Sequence, residues 1–233
     1  MLTITATDEW RNAHPGATVG LLELSGVETA ASLAGLEQRK RETEAHLRER
    51  YQGFTRQDFL ALPVMAAYER YYKRFHKTYH VLLQLESIVL KGKDLPSVFP
   101  LVDANFTAEV ETLVLTAGHD VAQLRGAITM DVSRQVDVQT LMNGASKEIY
   151  PGDMIMRDDG AVCCSIIYGQ DHRSPITPET SRVLYVAYAP ACVPAELVET
   201  HLRVIEENVR LFSPAVVVEQ LRVIRAELPP SDR

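Results

Sequence analysis

The feature that most constrains the fold is a change of hydrophobic period near Gly126. From there to Tyr188 the chain runs in short stretches of alternating character: "AITMDV", "VQTLM", "SKEIY", "DMIMRD", "AVCCSIIY" and "RVLYVAY". Residues two apart in a strand share a face, so this period predicts strands. Turn pairs separate the runs. Asn143-Gly144 and Asp159-Gly160 are strong hairpin signals, because glycine supplies the positive φ that tight hairpins require. Before Gly126 the period is mostly helical, apart from two β-like runs at Leu2–Thr5 and Thr18–Leu24 with a turn at His14–Gly16.

Helices are expected from Ala30 to Tyr51, from Thr55 or Asp58 onward, and from about Pro100 towards Val114, where "TAGHD" closes the helix with Gly118 and "GHD" is either a polar helix end or a catalytic dyad. Pro63 falls at the end of one helix or the start of the next. Gly92 reads as a C-cap. "PAELVETHLRVIEENVRLF" has a 3.6-residue apolar period. "SPAVVVEQLRVIRAEL" has a serine cap at Ser213 and Pro214 at a first-turn position, so it too reads as helix. The expected fold class is α+β: a mainly antiparallel sheet packed against helices, with N-terminal and C-terminal helical extensions.

Composition limits the function classes. Net charge over the 233 residues is −7, which disfavours a nonspecific nucleic-acid coat. A local exception lies between Arg70 and Lys93, where six basic residues (Arg70, Lys73, Arg74, Lys77, Lys91, Lys93) face one acid, Glu86. The first four are spaced i, i+3, i+4, i+7, one face of a helix, with Tyr71, Tyr72, Phe75 and Tyr79 interleaved. Two readings stand: a solvated basic side opposite a buried aromatic side, or a phosphate-contacting face.

No run approaches the ~18 apolar residues of a membrane span, and "MLTITATDEW" lacks a signal-peptide core. The expectation is a cytoplasmic protein with no membrane or DNA partner. Adjacent Cys163 and Cys164 point to opposite faces of a strand, and His76 and His80 have no third ligand beside them, so neither metal nor cofactor is expected.

Several polar residues stand where apolar ones are expected. Asp103 and Asn105 lie in an apolar helix and must either pin loops or face a wet cavity. Glu179, flanked by Thr177 and Thr180, stands at the mouth of the strand "RVLYVAY". It is either a solvated turn residue or a ligand-facing carboxylate.

Four segments in order, "LPSVFPLVDANF", "GHDVAQLRGAITM", "KEIYPGDMIMRDDGAVCC" and "ITPETSRVLYVAYAP", resemble the B3/B4 editing domain of the bacterial phenylalanyl-tRNA synthetase β subunit, in its free-standing form. The resemblance covers about Tyr71 to Pro190, within a single B3/B4-like domain spanning 1–233 and ending in a helical extension over 194–228. It implies a trans-acting deacylase that hydrolyses the ester of a mischarged tRNA, with aminoacylated tRNA as partner. The alternative is a noncatalytic tRNA-, RNA- or amino-acid-binding module of the same fold. The family's valine-aspartate-asparagine pattern is matched by Val102, Asp103 and Asn105. Its histidine stands two or three residues ahead of an aspartate, where this chain has His119 directly before Asp120. Its turn glutamate is matched by Glu179. The resemblance thus implies an amino-acid pocket lined by Glu179, Thr177, Thr180, Asp103, Asn105, Tyr185 and Ala187. His119 or His172 would orient water, and the basic residues would hold the acceptor end. Where relatives carry an arginine-rich, tryptophan-containing strand, this chain has "CSIIYGQ", so the side chain accepted need not be the family's.

Overall fold

The computed structural model describes residues 2–28 and 32–227. In chain order its elements are β1 (Ile4–Ala6), α1 (Asp8–Ala13), β2 (Thr18–Ser25), α2 (Ala34–Arg50), α3 (Arg56–Ala61), α4 (Pro63–Lys73), α5 (His80–Val89), α6 (Pro100–Thr112), β3 (Leu115–Asp120), β4 (Ile128–Val132), β5 (Val138–Thr140), β6 (Ser146–Glu148), β7 (Met154–Arg157), β8 (Val162–Ser165), β9 (Gly169–Gln170), β10 (Arg182–Ala189), α7 (Ala195–Arg210) and β11 (Val217–Arg225). This is an α+β fold. The expected helix over Ala30–Tyr51 is α2, with its first two residues outside the described part. Thr55 and Asp58 form a capping box at the start of α3. Pro63 opens α4, where its missing N–H costs nothing.

The strands form two main sheets. One is antiparallel throughout, in the order β11-β2-β10-β3. The other runs β1-β4-β7-β8-β9, antiparallel except for the β1–β4 pair, and β5–β6 is a separate hairpin about Asn143-Gly144. The strands after Gly126 therefore divide, with β10 leaving its sequence neighbours to pair with β2 and β3. β2 is buried along nearly its whole length because the sheet flanks it on both sides and α7 lies on its face. Gly20 permits that contact: a Cβ there would lie 2.5 Å from Val198 Cγ1.

Two expected helical segments are strands. β11 occupies most of "SPAVVVEQLRVIRAEL". It pairs with the full length of β2, from Val217 opposite Ser25 to Arg225 opposite Thr18, with a bulge between Val218 and Gln220. β-branched Val217, Val218, Val223 and Ile224 suit a pleated edge strand. Ser213 does cap, but across space: its hydroxyl accepts the N–H of Glu28 at 3.0 Å. "TAGHD" is likewise part of β3. Helix α6 stops at Thr112, Leu113 turns the chain at φ 64°, and Leu115–Tyr188 through Asp120–Val183 pair along β10.

Helix α4 joins the two sheets through its aromatic side. The Tyr68 hydroxyl donates to Tyr188 O at 2.7 Å and accepts Leu115 N–H at 3.0 Å. The Tyr71 hydroxyl donates to Asp153 Oδ1 at 2.6 Å and accepts Met154 N–H at 2.7 Å, and Tyr72 donates to Ile166 O at 2.9 Å. The aromatic side of the basic segment is therefore buried, as one of the two sequence readings had it. The helix is shorter than that reading required. It ends at Lys73, Arg74 is its cap, and His76 takes φ 56°, so Lys77 does not continue the helical face of Arg70, Lys73 and Arg74.

Candidate functional site

Strand β3 is the free edge of the four-stranded sheet, and a cavity of about 460 Å³ opens beside it. Val102 and Phe106 of α6, Ile166 and Ile167 after β8, and Ile176 form its apolar walls, and exposed Val98, Met142 and His80 stand among its lining residues. Apolar walls with a few placed polar atoms are the usual make-up of a small-molecule pocket.

The polar atoms come from three elements. Asn105, buried on α6, donates from Nδ2 to Thr116 O at 3.4 Å, and its Oδ1 has no protein partner. The Tyr188 hydroxyl, at the end of β10, is also buried without a partner. The backbone of β3 supplies the third. Thr116 N–H bonds Glu109 Oε1 at 2.8 Å and Asp120 N–H bonds Ser174 O at 3.0 Å, both away from β10. Gly118 stands between them, and its carbonyl is bonded outward by Gln170 Nε2. In an antiparallel strand the N–H and C=O of one residue point the same way, so the Gly118 N–H is also turned towards the cavity it lines. Glycine is needed here because a Cβ would lie 2.6 Å from Ile176 Cδ1 and 3.1 Å from Tyr185 Cε1.

One turn beyond Asn105, Glu109 is fully buried beneath this wall. Burial pushes its carboxyl up to about 8, against the pull of Thr116 N–H and Asn105. Burial likewise pushes the Cys163 thiol up to about 12, and the Cys164 thiol beside the cavity upward as well. Neither thiol is a thiolate nucleophile at neutral pH.

Of the residues assigned to the pocket by resemblance, Asn105 lines it and the others stand elsewhere. Glu179 is exposed in a turn, its N–H donating to Thr177 Oγ1 at 3.3 Å. Thr180 Oγ1 accepts Thr177 N–H at 2.9 Å and donates to Asp120 Oδ2 at 3.0 Å. Turn closure satisfies these hydroxyls and the carboxylate stays in water, so Glu179, Thr177 and Thr180 do not form a pocket wall. Asp103 pins loops: it pairs with buried Lys40 at 3.0 Å and accepts Val98 N–H at 2.9 Å. Tyr185 is a core residue whose hydroxyl donates to Leu101 O at 2.8 Å, and Ala187 is wholly buried.

His119 is sealed rather than catalytically placed. Its Nδ1 lies 2.8 Å from Ser174 Oγ, which donates to Asp171 Oδ1 at 2.7 Å, and all three side chains are buried. Burial holds the His119 imidazole down at about 4, so it is neutral. Sequence reasoning missed this Asp171–Ser174–His119 chain; "DHRS" carried its only signal. It braces the loop after β9 against β3, while a nucleophilic serine would need access to substrate. His172 is exposed and turned away, with Nδ1 3.4 Å from Thr140 O.

The basic residues scatter. Lys77 and Lys147 lie 5.7 and 5.6 Å from the ring of Tyr168, which lines the cavity. Lys73 pairs with Glu69 at 3.1 Å. Lys91 and Lys93 follow the far end of α5, about 15 Å along its axis from His80. Arg70 and Arg74 line a second, smaller cleft. Among the described residues there is no cluster of three metal-type ligands, and no helix is long and apolar enough to cross a membrane.

Neither protein-family models nor curated proteins match the chain. Among solved structures it is similar to an N-terminal fragment of the phenylalanyl-tRNA synthetase β-subunit from Pyrococcus horikoshii. The TM-score is 0.48 and the identity 9%, over 93% of this chain and 50% of that one. The chain thus spans half the length of that fragment.

Proposed function

We propose that the cavity beside β3 holds the amino-acid end of an aminoacylated tRNA and that the protein hydrolyses its ester, as a deacylase acting in trans. The observation that supports this reading best is the pairing of Asn105 Oδ1, an acceptor without a partner, with the outward Gly118 N–H on one apolar cavity. An aminoacyl ester presents an ammonium group for the acceptor, a carbonyl oxygen for the donor and a side chain for the walls. Ester hydrolysis needs a positioned water and a donor aimed at the developing oxyanion; a strong nucleophile is not required. Water adds to the carbonyl carbon, the oxyanion forms towards Gly118 N–H, and the ribose oxygen leaves with a proton. His80 is the imidazole among the lining residues that would take a proton from that water; burial holds it down at about 4, so it is neutral. Lys77 and Lys147 beside Tyr168 offer charge for the acceptor-end phosphates.

A second reading is a binding module without turnover. It is favoured by the sealing of His119 and by the neutral thiols. A nonhydrolysable aminoacyl-adenosine amide separates binding from chemistry. Calorimetry with this compound is expected to show saturable binding, weakened ten-fold or more in Asn105→Ala. Binding unchanged by that substitution would remove the cavity from the account. Binding without hydrolysis of any charged tRNA would select the second reading.

A further inference from the structure

A second cleft, of about 210 Å³, lies between the C-terminal half of α4 and the turn from α1 to β2. Arg70 and Arg74 line one side, four residues apart and therefore adjacent on the helix surface. His14, Pro15 and Ala191 line the other. Among the described residues neither guanidinium has a carboxylate at ion-pair distance, in a chain whose acids outnumber its bases. Glu69 pairs with Lys73 instead, and Arg74 makes one 3.4 Å bond to Gly152 O while lying 5.3 Å from the ring centres of Tyr71 and Phe75. Two arginines free of acids, of which Arg74 is stiffened against aromatic faces, form a fork for an oxyanion.

The independent observation is His14. It is 5% exposed, and its Nε2 is buried with no protein partner although it lines this cleft. A buried polar nitrogen left unpaired costs ~1–3 kcal/mol, so such an atom calls for a partner from outside the chain. The imidazole is neutral, its pKa held at about 4 by burial and then by the Arg74 charge. In the tautomer protonated at Nε2 it is a donor beside two cations, and the partner that satisfies all three is an anion.

We propose that this cleft is an oxyanion site, taking a phosphate group between the Arg70 and Arg74 guanidiniums with a hydrogen bond from His14 Nε2–H. It is separate from the cavity beside β3 and stands whether or not that cavity hydrolyses esters. A terminal phosphate monoester and an internal nucleic-acid phosphodiester share the chemistry, and the test separates them.

The full-length protein labelled with ¹⁵N is titrated at pH 7 with inorganic phosphate, and in parallel with a ribodinucleotide carrying a single internal phosphodiester. The His14 imidazole nitrogens are followed by long-range proton–nitrogen NMR. The expected result is a saturable shift of the His14 Nε2 signal with one or both probes. It weakens at least ten-fold in Arg70→Gln/Arg74→Gln, whose substitutions are on the surface. Saturation by the dinucleotide alone assigns the site to backbone phosphates, and saturation by inorganic phosphate alone assigns it to a terminal monoester. No saturable shift with either probe, or an equal shift in the double variant, would overturn the proposal.

Discussion

Asn105 and Glu109 stand one helical turn apart, and burial treats them differently. Asn105 lines the cavity and keeps a buried acceptor without a protein partner, whereas Glu109 is held protonated behind it. The folded-state pKa of Glu109, about 8, lies above the ordinary 4.5. Its contribution to stability is therefore complete at low pH and is lost as pH rises towards 8. The depressed histidines His14, His80, His119 and His201 act in the opposite sense, but below 6.5, where they would begin to charge in the unfolded chain. Between pH 6.5 and 8 Glu109 alone among these groups sets the slope. Urea denaturation should show stability falling by up to about 1.4 kcal/mol per pH unit there, one proton's worth. Glu109→Gln should flatten it; an unchanged slope would mean that Glu109 is ionised in the fold. Asp103 invites a second test. Its buried partner Lys40 keeps Glu37 at 3.1 Å and Ser97 at 2.7 Å, so Asp103→Ala should destabilise by ~1–3 kcal/mol in the same assay, still more than a surface ion pair would.

At this scale the sequence was a partial guide. A polar residue in an apolar helix marked both Asp103 and Asn105, but only spatial neighbours decide which pins a loop and which faces a cavity. Glu179 between hydroxyls carried the same local signal as a binding carboxylate. The turn it closes was the commoner use, because a carboxylate in water incurs no desolvation cost.

Elements were legible where period and punctuation agreed. The hairpin at Asn143-Gly144, the capping box of α3 and the proline start of α4 all follow from local chemistry. β3 and β11 were not legible, because their strand character comes from partners distant in sequence. "TAGHD" pairs with β10, more than sixty residues on, and "VVVEQLRVIR" completes a sheet begun by β2, near the N-terminus. Propensity alone yields to such tertiary pairing. Gly118 shows the consequence. In a helix end it would serve as a cap, whereas in β3 it is a point of close contact with Ile176 and Tyr185. Gly118→Ala should therefore cost ~1–3 kcal/mol by overcrowding, and it should lower hydrolysis further by displacing the N–H at the cavity. Thermal denaturation together with turnover checks both. Unchanged melting would show that Ile176 gives way freely.

Across the whole molecule, α4 is the piece that makes two sheets one object. Asp153 sits at the join, accepting from Tyr71 on one side and from Ser165, which lines the main cavity, on the other, while burial raises its pKa to about 6. The cleft lined by Tyr71 and the cavity lined by Ser165 thus share one carboxylate. Charge is also organised at this scale. The net −7 repels polyanions in general, so any tRNA contact must be local. Lys77 and Lys147 beside the cavity predict a shallow salt dependence of charged-tRNA binding, with a log–log slope of about −2 that falls towards zero in Lys77→Gln/Lys147→Gln. A slope several-fold steeper would mean a larger contact surface than these two residues provide.

The central claim is that the cavity at Asn105 and Gly118, rather than the turn at Glu179, handles an aminoacyl ester. It is tested most directly by the release of amino acid from a panel of correctly charged and mischarged tRNAs, with wild type, Asn105→Ala and Glu179→Ala side by side. The account predicts hydrolysis of at least one charged species, reduced ten-fold or more in Asn105→Ala and retained within about two-fold in Glu179→Ala. Hydrolysis lost in Glu179→Ala and kept in Asn105→Ala would contradict it.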